Sequence, residues 1–200
     1  VLDYWVSDQG PVAAARMSAT PAAPVGPAAT PGTPVIDSPT HPNPDAWVPG
    51  SAATFTWAQP PGDMTELSGY RWYLDQAAAT IPATVSPQMT NTHTYAHLAD
   101  GVWTMHLHAA STGGQWSEVA HRTIRVDANP PTVTITLDPA APTGHNDWYV
   151  TPVGVAVAAG DGVGSGVAAI EVSTDNAVWV PYNGPAAFTG DTAGTTLYAR

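Results

Sequence analysis

Hydrophobic and polar residues alternate with a period of two in short segments along most of the chain. One segment places Ala53, Phe55 and Trp57 on one side and two threonines on the other. The same alternation recurs in "GYRWYLD", "VWTMHLHA" and "TIRV", and turn residues separate these segments. Short alternating strands with turns between them are typical of an antiparallel sandwich of two sheets. The pattern therefore predicts an all-β chain.

The inward side of these predicted strands is rich in aromatic residues, which contribute much of the buried area of a small domain. We expect one sandwich to have a core that contains Phe55, Trp57, Trp72, Trp103 and Leu107. A second series of strands follows "DANPP", in "TVTITL", "VGVAVAA", "VAAIEVS" and "TTLYAR". Because two prolines cannot continue a central strand, this segment predicts a boundary between two sandwiches.

The order of these segments predicts four regions. Residues 1–19 are predicted to be a hairpin of two strands, and residues 20–34 are a linker rich in Pro, Ala and Thr. Such a composition favours an extended, semi-rigid spacer. Residues 35–128 are predicted to form one sandwich and residues 129–200 a second one.

The two predicted sandwiches are repeats of each other. "HPNPDAWVPGSAATFTW" parallels "GHNDWYVTPVGVAVA", and "ELSGYRWYLDQ" parallels "GSGVAAIEVSTDN". Aligning their ends predicts that residues 1–19 are the last two strands of an upstream copy, and that residues 129–200 lack a final strand. Two alternatives stay open for that strand. The following residues of a longer chain could supply it, or residues 1–19 of a neighbouring copy could donate it.

Charge and composition exclude several classes of partner. The 200 residues carry a net charge of −11, include 21 prolines and contain no cysteine, and their basic residues are all arginine. An acidic surface repels nucleic acid and anionic lipid. No apolar stretch approaches the roughly 18 residues of a membrane span. The lack of lysine beside abundant Ala, Pro and Gly indicates a GC-rich, bacterial source.

The residues also resemble known families. The region 35–127 resembles fibronectin type III-like and bacterial immunoglobulin-like domains of secreted actinobacterial proteins, in "SPTHPNPDAW", "SGYRWYLD", "LADGVWTMHLHAASTGGQWS" and "IRVDANPP". The region 132–200 is similar to bacterial immunoglobulin-like repeats of surface proteins, in "NDWYVTPVGVAV", "GVGSGVAAIEVSTDN" and "WVPYNGP". The resemblance implies tandem antiparallel β-sandwich domains, located outside the cell. Related domains carry Asp-x-x-Gly-Asn where this chain has Ser111-Thr112-Gly113-Gly114, which argues against an ion at that turn.

Candidate metal ligands are few. His106 and His108 project from one face of a predicted strand, and His121 is expected on its neighbour. Three imidazoles at that spacing could bind zinc or sense pH, but we expect them to be ordinary polar residues on a solvated face. Asp161 in "AGDGVGSG" could hold calcium, although the glycines there are also what a tight turn requires. We therefore predict no structural metal and no cofactor.

Candidate ligand-binding residues are aromatic. Trp148 with Tyr149, and Trp179 with Tyr182, could form a platform on which sugars stack, or could pack inside the sandwich. The sequence contains no catalytic motif, so we predict that the chain is not an enzyme.

We expect a structural segment of an extracellular bacterial surface fibre, stalk or adhesin. Its partners would be neighbouring immunoglobulin-like domains of the same chain or like subunits in a fibre. The alternative is a glycan-binding or spacer module accessory to a secreted enzyme that acts on polysaccharides, which would make polysaccharide a partner. These modules share a fold but differ in function, so the fold alone does not choose between the two.

Overall fold

A computed structural model describes residues 28–83, 86–190 and 194–200. Regular secondary structure in these residues consists of thirteen β-strands. The predicted all-β fold class is therefore confirmed. Among the described residues, no helix is long and apolar enough to cross a membrane. The predicted hairpin at residues 1–19 and the first part of the predicted linker lie outside the described residues.

The first seven strands form two facing sheets. A three-stranded sheet has the order β1-β3-β5, and a four-stranded sheet has the order β2-β7-β6-β4. Neighbouring strands run antiparallel except β2 and β7, which are parallel. The strands are β1 (Val35–Asp37), β2 (Trp47–Pro49), β3 (Ala53–Ala58), β4 (Leu67–Asp75), β5 (Thr92–Tyr95), β6 (Gly101–Ser111) and β7 (Ala120–Asp127).

The core of this sandwich lies where the alternation of hydrophobic residues placed it. Phe55 and Leu107 are fully buried and Trp57 is 4% exposed, as expected for inward-facing positions. Trp72 and Trp103 pack against the same cluster but are only partly buried. The expected burial is therefore confirmed for three of the five core residues and is only partial for the two tryptophans.

The segment between β4 and β5 folds back against the four-stranded sheet. Tyr70 and Gln88 form a β-bridge, with backbone hydrogen bonds of 3.0 and 2.9 Å in the two directions. Gly69 permits this approach, because a Cβ at that position would lie 2.7 Å from the backbone nitrogen of Gln88. Its φ of 141° is also in the region that favours glycine. Gln88 therefore covers part of the free edge of β4.

The remaining six strands form two further sheets, of orders β12-β9-β8 and β11-β10-β13. All of their pairings are antiparallel. Fewer side chains are buried in these two sheets. Among the described residues from Thr132 onwards, the buried apolar side chains are Val155 and Val157. The strands are β8 (Thr132–Asp138), β9 (Val153–Gly160), β10 (Glu171–Ser173), β11 (Val180–Pro181), β12 (Ala186–Phe188) and β13 (Tyr198–Ala199).

The described part of the predicted linker lies against the first sandwich. Pro31 and Pro34 are buried, and the backbone N–H of Gly32 donates to Asp63 over 2.8 Å. The same carboxylate accepts the backbone N–H of Thr65 over 2.9 Å. Hydrogen bonds lower the pKa of Asp63 to about 2, and those from Thr65 have the largest effect. Residues 28–34 therefore extend the first sandwich.

Candidate functional site

An open groove of about 760 Å³ runs along the sheet β12-β9-β8. Its floor is made of side chains that would meet a facing sheet in a filled sandwich. Two of them remain well exposed, Ile135 at 38% and Leu137 at 36%. The volume falls in the range of small-molecule sites, roughly 300–1,000 Å³. The aliphatic lining residues are Ile135, Leu137, Val150, Val153, Val155 and Leu197, and Pro152 and Phe188 also line the groove.

The predicted aromatic pair Trp148 and Tyr149 lies at this groove. A tight turn before the pair presents Trp148, since Asn146 and Asp147 both have positive φ, and the backbone N–H of Gly144 donates to the Trp148 carbonyl over 2.8 Å. Trp148 is 54% exposed, whereas Tyr149 is partly buried. One ring of this pair is therefore available to a ligand from solvent.

The other predicted aromatic pair does not line the groove. The guanidinium of Arg200 lies 4.3 Å from the centre of the Trp179 ring and also pairs with Glu171 at 2.8 Å. The Tyr182 hydroxyl accepts the backbone N–H of Val157 over 3.0 Å, which ties two strand segments together. The four aromatic residues therefore do not form one platform.

The three histidines occupy a different site, on the outer face of the four-stranded sheet. The expectation that they lie on a solvated face is wrong for two of them, because His106 is 0% and His108 is 6% exposed. The segment between β4 and β5 covers these two side chains: the backbone N–H of Thr80 donates to Nδ1 of His106 over 3.3 Å, and His108 Nε2 donates to the carbonyl of Pro82 over 2.9 Å.

His106 and His121 are in direct contact across β6 and β7, with their Nδ1 atoms 2.7 Å apart. His106 Nε2 lies 3.0 Å from the carboxylate of Asp75, to which it donates. Because the backbone N–H of Thr80 points at His106 Nδ1, that nitrogen is the acceptor, and His121 supplies the proton of the short contact. Burial, with His106 nearby, lowers the pKa of His121. These contacts link β6 and β7 through their side chains and connect the pair to Asp75.

His108 does not join that pair. Its ring stacks on Trp116, with centroids 4.2 Å apart, and the guanidinium of Arg71 lies 4.3 Å from the centre of the same indole. Burial lowers the pKa of His108, and the charge of Arg71 acts in the same direction. The three imidazoles are thus divided between two contacts instead of converging on one point.

The loop around Asp161 is a hydrogen-bonded turn. The Asp161 carboxylate accepts the backbone N–H of Gly166 over 2.6 Å, and that of Asp127 accepts the N–H of Ser165 over 3.2 Å. A Cβ on Gly164 would lie 2.6 and 2.7 Å from these two carboxylates, so a larger residue there would displace them. Within the part of the chain that the structure describes, no three His, Cys, Asp or Glu residues are arranged to hold a metal ion.

Asp100 has a structural role that the pattern of the sequence did not reveal. Its carboxylate accepts hydrogen bonds from the backbone of Ala128 and Asn129 and from the Asn129 side chain, at 2.5, 3.2 and 2.9 Å. These hydrogen bonds lower the pKa of Asp100, and the bond from the Asn129 side chain has the largest effect. A carboxylate in a turn is common, and its partners are 28 and 29 residues away, so no local signal marks it.

Comparison with known proteins finds similar solved structures but no matching family. No family model and no curated protein matches the chain. Among solved structures it is similar to the fibronectin(III)-like modules of Clostridium thermocellum CbhA, with 13% identity, 84% of each chain covered and a TM-score of 0.37. It is also similar to FN1–FN3 of chicken CNTN1, with 13% identity, a TM-score of 0.33, and 86% of this chain and 55% of that one covered.

A third similar structure is the fibronectin type III domain of human fibronectin type III domain containing protein 3. It has 18% identity and a TM-score of 0.29, and the match covers 51% of this chain and 93% of that one. All three are fibronectin type III-like, and the sequence resembles the same kind of module. The fold is defined by the strand order and the core of the chain itself.

Proposed function

We propose that the chain is a non-catalytic structural segment of an extracellular bacterial surface fibre, stalk or adhesin, built from β-sandwich modules in series. The observation that carries the proposal is the junction between β7 and β8. Only Ala128, Asn129, Pro130 and Pro131 separate the two strands. A stalk needs short connections of this kind, because modules that reorient freely neither keep the chain extended nor transmit force along it.

The junction is held from both sides. Asp100, in the turn before β6, accepts three hydrogen bonds from Ala128 and Asn129. Asp127, at the end of β7, accepts the backbone N–H of Ser165 from the loop between β9 and β10. Both carboxylates therefore link segments that precede the junction to segments at or beyond it.

The composition of the junction adds to this restraint. Proline fixes φ near −65°, and consecutive prolines favour an extended, semi-rigid backbone. Relative motion is otherwise the default for neighbouring domains of one chain. Short length, two prolines and carboxylate bonds at both ends together support a stiff connection, as a fibre or stalk requires.

Pulsed electron paramagnetic resonance tests the stiffness. The chain contains no cysteine, so spin labels attached through Thr112→Cys and Thr174→Cys report one distance across the junction. Both positions are exposed. We expect one narrow distance distribution, which broadens when Asp100→Ala is added. Asp45→Ala removes an exposed carboxylate elsewhere and should leave the width unchanged. A broad distribution in the parent protein that Asp100→Ala does not alter contradicts the proposal.

A second candidate function is glycan binding as an accessory module of a secreted enzyme that acts on polysaccharides. The exposed ring of Trp148 beside the groove favours it. Binding to insoluble polysaccharides that Trp148→Ala abolishes would support this function. Val163→Ala is the matched control, because Val163 is also an exposed apolar residue, at 66%, and does not line the groove. No binding by the parent chain eliminates glycan binding and leaves the stalk proposal standing.

A further inference from the structure

One sheet edge of this protein differs from the others. Unpaired edges invite association with other chains, and proteins protect them with short strands, prolines, bulges or covering segments. The four sheets of the described residues have eight edge strands. Six of these are two to four residues long: β1, β2, β5, β11, β12 and β13. The seventh, β4, carries a bulge between Leu67 and Gly69 and is bridged by Gln88.

The eighth edge strand, β8, has none of these protections. It pairs with β9 along seven residues with no register shift, and within the described residues its other edge has no partner strand. Every residue of β8 is exposed. No charged residue and no proline occurs from Thr132 to Leu137, and the first charge is Asp138 at the end of the strand. β8 is thus a long, regular and uncharged edge.

The composition of β8 favours a second copy as its partner. A net charge of −11 makes copies of this chain repel each other. This repulsion is weakest where the approaching surfaces carry no charge, as at the edge of β8. One side of the strand carries threonines and the other carries Val133, Ile135 and Leu137, which are 36–38% exposed. In an antiparallel pair of identical strands, threonine meets threonine and aliphatic meets aliphatic. Such cross-strand pairs stabilise a sheet.

We propose that β8 pairs antiparallel with β8 of a second copy of the chain, around a two-fold axis. The two sheets β12-β9-β8 then become one sheet of six strands, and the outward backbone N–H and C=O groups of each β8 are satisfied. This lateral contact goes beyond the proposed stalk function and does not depend on it. A contact made mainly by one seven-residue strand buries little area, so the association is weak and reversible.

Sedimentation of the full chain tests the association. We expect a monomer–dimer equilibrium that shifts with concentration. Thr134→Lys places like charges beside the axis and should weaken dimerisation about tenfold or more. Thr112→Lys adds the same charge in the turn after β6 and should leave the equilibrium unchanged. A strictly monomeric parent chain overturns the proposal, and so does a dimer that Thr134→Lys does not weaken.

Disulfide cross-linking locates the contact, because the chain has no cysteine of its own. Residues opposite each other in an antiparallel pair have Cα atoms about 4.5–5.5 Å apart, which is within disulfide range. We expect Thr134→Cys, or a mixture of Thr134→Cys with Thr136→Cys, to cross-link at least about fivefold faster than Thr112→Cys. Equal rates for all of these variants overturn the proposal.

One further variant separates β8 pairing from a contact made by the N-terminal residues. Trp5→Pro interrupts the strand predicted at the start of the chain. We expect the dimer to survive this change. A dimer that Trp5→Pro abolishes and Thr134→Lys leaves intact identifies residues 1–19 as the donated strand and refutes pairing through β8.

Discussion

The substitution Phe55→Ala tests the packing that holds the first sandwich together. Phe55 is 0% exposed and is the largest of the fully buried side chains. Its ring also meets Tyr95 edge to face, with centroids 6.3 Å apart. Removing a buried phenylalanine ring costs about 3–5 kcal/mol, because apolar contacts are lost and the cavity collapses only in part. We expect the free energy of unfolding to fall by that amount.

Urea unfolding followed by tryptophan fluorescence measures this loss. The midpoint should fall while the slope of the transition stays constant, which shows that stability has changed and not the unfolded state. Val102→Ala is the matched control, because Val102 is 38% exposed and surface substitutions change stability by about 0.5 kcal/mol. A loss below about 1 kcal/mol for Phe55→Ala would refute the assignment of this face of β3 to the core.

Three further predictions concern protonation and metals. Burial lowers the pKa of His108 below 6.5, so the unfolded chain binds a proton at this histidine at higher pH than the folded chain does. The free energy of unfolding should therefore fall as the pH drops below 6.5, and fall less steeply in His108→Gln. Urea midpoints that do not change between pH 7.5 and 5 would contradict this prediction. Burial raises the pKa of Tyr95 to about 12, so stability should be complete below pH 10 and fall from pH 10 to 12. Tyr95→Phe should reduce that loss, and an identical loss in this variant would exclude Tyr95 as its source. EDTA should leave the melting temperature unchanged, whereas a drop of more than about 5 °C, roughly 1 kcal/mol, would indicate an ion at the Asp161 loop or the histidines.

The alternation of residues was sufficient to predict the inward faces of the main strands. Successive side chains of a strand point to opposite sides, so the position of Phe55, Trp57 or Leu107 in the sequence directly sets its side of the sheet. The partial exposure of Trp72 and Trp103 has a different origin. A large ring near the edge of a cluster extends beyond the neighbours that cover it, and alternation does not report where a cluster ends.

The burial of His106 and His108 could not be predicted in the same way. A polar residue at every second position of a strand normally indicates a solvated face. That rule fails here because the segment between β4 and β5 folds back over the sheet. Thr80 and Pro82 of this segment, and Asp75 at the end of β4, hydrogen-bond to the imidazoles. These partners lie 26 to 31 residues away, and the Ala-rich sequence of the covering segment shows no periodicity that indicates docking.

The aromatic residues of the candidate site divide for a similar reason. Both pairs looked equivalent in the sequence, each a tryptophan near a tyrosine. The turn at Asn146 and Asp147 leaves the Trp148 ring in solvent, whereas Arg200, 21 residues after Trp179, covers the second indole. Exposure of an aromatic ring depends on such distant partners, which only the folded chain reveals.

Under the proposed function, this chain is part of a structure on the outside of a bacterial cell. Immunogold electron microscopy of intact source cells, with an antibody raised against residues 28–200, tests that claim directly. We predict gold particles outside the envelope, arranged along projections from the cell surface and absent from cells that lack the protein. Label confined to the cytoplasm, with intact cells unlabelled, would contradict the claim.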